Sequence, residues 1–273
     1  MECIAKRIKK MVPDWKGNFP VMVIAHRGFS GAAPENTLAS FKKAIEIGSD
    51  MIEMDVQFSQ DRKIMVRHDE TLERTTNGRG RVVDYTLKEL KNLDAGSWFG
   101  THFSGEKIPT LKEVLELAKG RVLVNAEIKS PTHGKYAITE LTDQALKEVK
   151  KAGMINRVIF SSFNPAALEW LKKDKSAGVA LLYHGPWNFL SEVTGGRDYS
   201  ILNLRHNYLT KRKVAKIHQE GCKVNVYTVN SRQELDRLVR WKVDGIITNY
   251  PDRLIQILQK KLSLAEPTEV TAR

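Results

Sequence analysis

The chain has 273 residues, 41% hydrophobic and 28% charged, a balance that fits a soluble globular protein and excludes a disordered one. It holds no run of about 18 apolar residues, so no membrane-crossing helix is expected. The net charge of +12 draws anionic ligands and surfaces. Its basic runs, Lys211-Arg212-Lys213 and Lys172-Lys173-Asp174-Lys175, nevertheless read as solvated helix faces, and no basic motif interleaved with aromatics points to nucleic acid.

Residues 1–10 are basic and lack the apolar core of a signal peptide, so they read as a mature cytoplasmic N-terminus, an amphipathic cap. Cys3 and Cys222 are the only cysteines, so neither a structural disulfide nor a cysteine metal site is expected. A first strand is expected over 21–25. A helix follows over 37–47, with Leu38, Phe41, Ala44 and Ile45 on one face. Strands at 51–56 and 63–67 come next. Residues 71–107 break the pattern and read as an insertion, with a short helix near 86–93. A helix over 110–118 opens with Thr110 and Glu113, a candidate capping box. Further strands are expected at 121–128, 157–161, 178–183, 200–204, 223–228 and 244–248. Asn164-Pro165 and Ser231–Glu234 mark helix starts between them. The tail after Leu262 is expected to fray.

Strands that alternate with helices imply a parallel sheet. Nine strands are one too many for an eight-stranded barrel. The connection 58–62 is far too short for a parallel crossover, so 63–67 should return antiparallel to 51–56 as a hairpin. Eight parallel strands then remain. The expected fold is α/β, a (β/α)8 TIM barrel with an insertion after the second strand, in one domain over 1–273. A doubly wound open sheet is the runner-up, and no glycine-rich dinucleotide loop supports it.

Catalytic groups of such barrels sit at the C-terminal ends of the strands. His26 and Arg27 follow the first strand. Glu53 and Asp55, two apart, point to the same side of the second, while Met54 and Val56 point towards the helices. His68 ends the hairpin. Glu127 and Lys129 end the 121–128 strand, against the alternating Val124, Ala126 and Ile128. Glu53, Asp55 and Glu127 offer hard anionic oxygens, which suit Mg²⁺ or Ca²⁺ better than zinc. Arg27 and Lys129 offer positive charge to a phosphate. His26 and His68 can serve as general base and general acid, in either assignment. Together they describe phosphodiester cleavage. The alternative is buried salt bridges between these carboxylates and Arg27 and Lys129. Asp69, Glu70, His102, His133, His184, His206 and His218 join no constellation and read as surface or loop residues.

These residues resemble the glycerophosphodiester phosphodiesterases. The resemblance rests on His26-Arg-Gly with Ala33-Pro-Glu-Asn-Thr37, Glu53-Met-Asp-Val56, His68-Asp69, Ile108-Pro-Thr-Leu111, Glu127-Ile-Lys129, Ser161-Ser-Phe163, Val226-Tyr-Thr-Val-Asn230 and Val243-Asp-Gly-Ile-Ile-Thr248. It implies a TIM barrel that uses a divalent metal to hydrolyse glycerophosphodiesters to an alcohol and glycerol 3-phosphate. Glycerophosphocholine and glycerophosphoethanolamine are the expected small-molecule substrates. By matching motifs it implies Glu53, Asp55 and Glu127 as metal ligands, His26 and His68 as the acid–base pair, and Arg27 and Lys129 as phosphate contacts. Tyr227 stands where many members have Trp, Asn249 where an Asp is common, and Arg62 at a frequent turn glycine. Phe163 and Tyr227 are candidate substrate contacts. Trp98 and Phe99 could wall the pocket or simply pack the insertion. A monomer or homodimer is expected, with peripheral membrane contact open. Two readings compete. One is a lysophospholipase D or other phospholipase acting on a membrane lipid, which Trp187 and Phe189 leave open. The other is a catalytically idle barrel that binds anionic lipid.

Overall fold

The computed structural model describes residues 17–130, 136–185 and 199–265. The expectations for residues 1–10, Cys3, His133, Trp187, Phe189 and the end of the tail fall outside them. Nine strands lie among the described residues: β1 (Met22–Ala25), β2 (Met51–Phe58), β3 (Ile64–Val66), β4 (Leu123–Ile128), β5 (Val158–Ser162), β6 (Gly178–Tyr183), β7 (Ile201–Arg205), β8 (Lys223–Tyr227) and β9 (Gly245–Thr248). β1 pairs in parallel with both β9 and β2, and the remaining neighbours run β9-β8-β7-β6-β5-β4-β2. Eight parallel strands therefore close into a barrel. β3 stands outside the ring, antiparallel to β2, with Val56 opposite Val66 and Phe58 opposite Ile64.

The hairpin turn carries Arg62 in the left-handed region, at φ 59°. Its guanidinium compensates for the missing glycine, lying 5.4 Å from the Phe58 ring and 5.6 Å from the Tyr136 ring.

Side-chain alternation along the strands sorts the barrel into two cores. Outward residues of β2 and β4, including Ile52, Met54, Val56, Val124, Ala126 and Ile128, pack against the helices. Inward residues Ile24, Met51, Leu123, Ile159, Ala180, Ile201 and Ile247 form a separate apolar layer inside the barrel. Above that layer the inward positions turn polar. Glu53 lies beside Asn125 and Asp55 beside Glu127.

The α-helices among the described residues are α1 (Leu38–Glu46), α2 (Leu87–Asn92), α3 (Leu111–Ala118), α4 (Ile138–Lys151), α5 (Pro165–Leu171), α6 (Lys211–Gln219), α7 (Arg232–Arg240) and α8 (Pro251–Ala265). The expected starts are present. Thr110 and Glu113 form a capping box, and Asn164 and Ser231 cap α5 and α7. α1 departs from the periodicity. Leu38 is exposed and Ser40 is buried, because Ser40 shares a capping box with Thr37 and donates to the Arg27 carbonyl.

The segment 71–107 packs on Met65 of β3 and Ile108 in a small separate core that includes Leu72, Val82 and Leu90. Trp98 and Phe99 meet edge-on outside that core, with Trp98 exposed. Among the described residues no helix is long and apolar enough to cross a membrane.

Candidate active site

The loop after β1 is held in a conformation that an ordinary chain avoids. Arg27 and Asn36 both adopt left-handed backbone, with φ 56°. Such non-glycine residues cost about 1–2 kcal/mol each and persist only where surrounding contacts fix them. Here the Arg27 N–H donates to Glu53 Oε2 (3.0 Å), and its carbonyl accepts from Asn36 N and Ser40 Oγ, both at 3.0 Å. Gly28 follows at φ 81°, so close to α1 that a Cβ would lie 2.4 Å from Ser40 Oγ. This explains the His-Arg-Gly run physically: only glycine fits there.

The loop delivers two groups. His26 Nδ1 lies 2.6 Å from Asn249 Oδ1, just past β9. An amide oxygen only accepts, so Nδ1 donates and Nε2 keeps its lone pair. Burial, with Arg27 beside it, lowers the His26 pKa to about 4, so the ring is neutral at neutral pH. Arg27 reaches Glu35 through Nη1 (2.8 Å) and Asp55 Oδ2 through Nε (3.3 Å).

Alternation on β2 and the register with β4 bring Glu53, Asp55 and Glu127 together. They are 4%, 1% and 8% exposed, and each offers an oxygen within 4.8 Å of the others. The salt-bridge alternative holds for part of this group. Asp55 faces Arg27 and, at 3.6 Å, Lys129. Glu127 meets Lys129 at 2.8 Å. Glu53 has no ion-pair partner among the described residues and accepts only the Arg27 amide. Burial opposes the Asp55 charge, yet Arg27 and Lys129 hold its carboxyl well below the usual range. Burial first, then Asp55 and Glu127, push Glu53 well above it; burial and Asp55 raise Glu127 despite Lys129. Three buried carboxylates with two cations between them leave negative charge uncompensated, and a small cation with oxygen preference fits that imbalance. Asn36 donates to Asp55 Oδ2 at 2.8 Å and so fixes one carboxylate.

His68 stands across the same cavity at the end of the hairpin. Its Nδ1 lies 2.6 Å from Asp69 Oδ1. Arg74 Nε donates to the other Asp69 oxygen at 2.5 Å. Asp69 is therefore not a bystander, contrary to its reading as a loop residue; a neighbour in sequence became a hydrogen-bond partner because the strand ends between Val66 and His68. The cavity holds about 150 Å³ and is lined by His26, Arg27, Glu53, His68, Glu127 and Lys129, with Phe163 and Tyr227 on its apolar side. These two rings meet almost perpendicularly, 6.1 Å apart. Tyr227 OH and Ser161 Oγ are buried without a hydrogen-bond partner among the described residues. Trp98 and Phe99 do not line the cavity. Eight of the nine candidates (His26, His68, Arg27, Lys129, Phe163, Tyr227, Glu53 and Glu127) thus line one cavity; the ninth, Asp55, is not in its lining and joins the group through its ion pairs with Arg27 and Lys129. Sequence reasoning placed Glu35, Asn36 and Asp69 in motifs without giving them a role, and it missed Arg74 and the partnership of Asn249 with His26.

Polar groups converging at the C-terminal ends of parallel strands are the layout of a barrel enzyme. Comparison with known proteins makes the class specific. The model of the glycerophosphoryl diester phosphodiesterase family matches residues 26–253. A glycerophosphodiester phosphodiesterase of Caldanaerobacter subterraneus subsp. tengcongensis is 42% identical over 245 residues, covering 88% of this chain and 98% of the relative. One from Bacillus subtilis is 35% identical over 254 residues, covering 85% and 84%. Among solved structures, an Oleispira antarctica phosphodiesterase in complex with the product sn-glycerol-3-phosphate is 32% identical. It superposes with a TM-score of 0.78 over 87% of this chain and 96% of its own. The chain belongs to the glycerophosphoryl diester phosphodiesterase family.

Proposed function

We propose that the protein hydrolyses glycerophosphodiesters such as glycerophosphocholine and glycerophosphoethanolamine to the head-group alcohol and sn-glycerol 3-phosphate. The observation that carries this reading is one cavity bordered by two histidines, two cations and a cluster of buried carboxylates. The relatives named above, and the product bound by the Oleispira protein, support it.

In this reading His26 is the general base. Its Nε2 lone pair faces the cavity because Asn249 occupies Nδ1. It takes the proton of the attacking nucleophile, either water itself or a glycerol hydroxyl whose cyclic phosphate water then opens, as the new P–O bond forms. His68 is the general acid, giving a proton to the head-group oxygen as the old P–O bond breaks. The Asp69 carboxylate on Nδ1 balances the charge of the protonated His68 ring. Arg27 and Lys129 hold the phosphate oxygens and meet the negative charge that grows on them. Phe163 and Tyr227 pack against the carbon skeleton of the substrate. Glu53, Asp55 and Glu127 would hold one divalent cation, Mg²⁺ or Ca²⁺. When bound, it supplies charge stabilisation to the phosphoryl oxygens. Barrel and insertion act as one domain in this scheme.

The test is glycerophosphocholine hydrolysis with Mg²⁺, with Ca²⁺ and in EDTA. Activity that EDTA abolishes and either cation restores is expected. Full activity in EDTA would remove the metal from the scheme, and no glycerol 3-phosphate under any condition would remove the substrate class.

A further inference from the structure

The insertion carries a residue tied to the proposed acid–base machinery. Arg74 lies eight residues beyond the end of β3, and its guanidinium spans two carboxylates. Nε donates to Asp69 Oδ2 at 2.5 Å. Nη1 and Nη2 donate to the two oxygens of Glu35 at 2.8 and 2.7 Å. Glu35 belongs to the loop before α1 and lies in the barrel proper. Asp69 in turn holds His68 Nδ1 at 2.6 Å. A planar fork that grips one carboxylate with both ends while its Nε holds a second is a geometry that Arg supplies and Lys does not.

The turn that presents Arg74 is itself pinned. Buried Arg67 donates through Nε to the Thr71 carbonyl at 3.1 Å and through Nη1 to Thr75 Oγ1 at 2.6 Å. Among the described residues it makes no direct ion pair, although Asp69 lies near enough to act on its charge. Residues on both sides of Arg74 are thus tied to the barrel by a buried cation whose hydrogen bonds all go to neutral groups. Asp69 is a quarter exposed, so without Arg74 it would be free to swing from the histidine into solvent.

We propose that Arg74 is a positioning residue of the insertion, which holds Asp69 against His68 and so keeps the His68 ring aimed at the leaving-group oxygen. Glu35 is the anchor that makes this rigid. The proposal rests on the reading of His68 as general acid, and its test separates the two. A head group such as choline leaves as an alkoxide and needs a proton. A p-nitrophenolate leaves without one. A residue acting through the acid therefore matters for the first substrate and hardly for the second.

The experiment measures kcat and KM for glycerophosphocholine and for the p-nitrophenyl ester of glycerol 3-phosphate, at saturating Mg²⁺ or Ca²⁺. Arg74→Ala, Asp69→Asn, Arg74→Lys and His68→Ala are compared, each checked for a native melting transition. Arg74→Ala and Asp69→Asn are expected to lower kcat on glycerophosphocholine by about 10–100-fold, as loss of an orienting outer partner does. Their KM should stay near native, and the nitrophenyl ester should lose much less. Arg74→Lys should recover only part of the loss. In the His68→Ala background, Arg74→Ala should cost almost nothing further, since residues that act as a unit are not additive. Equal losses on both substrates would overturn the proposal, placing Arg74 with the phosphate through Glu35 and Arg27. So would a full additional loss in the His68→Ala background. If His68→Ala itself does not discriminate between leaving groups, the acid assignment falls and the proposal with it. If His68→Ala discriminates while Asp69→Asn and Arg74→Ala do not, the acid stands and the proposal alone is wrong.

Discussion

Substituting Glu53 by Gln should move stability in opposite directions with and without a cation. The three acidic oxygens lie within 4.8 Å of one another. At that spacing two unit charges repel by about 3 kcal/mol at an effective dielectric near 20. Glu53 faces two such neighbours. Arg27 and partial protonation of the carboxyl cancel much of this, so Glu53→Gln should stabilise the metal-free protein at pH 8 by about 1–3 kcal/mol. For a chain of this size that is a rise in Tm of about 2–10 °C. The wild type should instead gain about 2.7 kcal/mol when Mg²⁺ or Ca²⁺ reaches about one hundred times its Kd. The variant, lacking one anionic ligand, should respond far less at the same concentration. Differential scanning fluorimetry in EDTA and across a cation titration reads both effects. If Glu53→Gln lowers Tm in EDTA, or if wild-type Tm ignores both cations, the three carboxylates are a structural network and not a cation site.

Replacing His26 by Ala should reduce glycerophosphocholine turnover by about 10²–10⁴-fold with the fold retained, as circular dichroism and kcat would show; near-native turnover would exclude it as the base. The His26 ring should titrate near pH 4 in metal-free protein, followed by NMR of its ring protons, and not near the ordinary 6.5. Because its folded pKa lies below the unfolded one, acidification from pH 6.5 towards 4 favours the unfolded chain, so stability should fall through that window and be unaffected above it. Arg62→Ala should cost about 1–2 kcal/mol in urea melts, since it keeps the φ 59° strain and loses the stacking and the Glu140 ion pair. Arg62→Gly relieves that strain and should be the milder change by about 1 kcal/mol; the reverse order would show that the left-handed backbone at this position carries no strain that glycine relieves.

The parts of the site that were legible in the sequence are those set by a strand's two-residue period. Glu53 with Asp55, and Glu127 with Lys129, declare one face simply by alternating with buried apolar residues. The short connection 58–62 permits only a hairpin, and that alone places His68 beside β2. What stayed hidden depends on partners that no local pattern joins. Arg74 and Glu35 are 39 residues apart, and each alone looks like a solvated charge. Asn36 is a turn residue by composition, and only its left-handed backbone and its bond to Asp55 reveal its role. Leu38 fitted the apolar stripe of α1, but the capping box rotated Ser40 into the protein instead. Trp98 and Phe99 pair with each other away from both the cavity and the small core of the insertion, a placement that aromatic composition alone does not reveal.

The ring of β1 and β9 has a consequence for when this protein becomes active. His26 lies near the beginning of the barrel, and Asn249, which sets its tautomer, lies 223 residues later. The contact exists only once the last strand has slotted between β8 and β1, and pairings this distant in the chain are among the slowest to form. Under the proposed mechanism, turnover reports ring closure. A chain still emerging from the ribosome, or one clipped before β9, has the three carboxylates, His26 and His68 in place along the sequence and yet leaves the His26 ring without the partner that orients it.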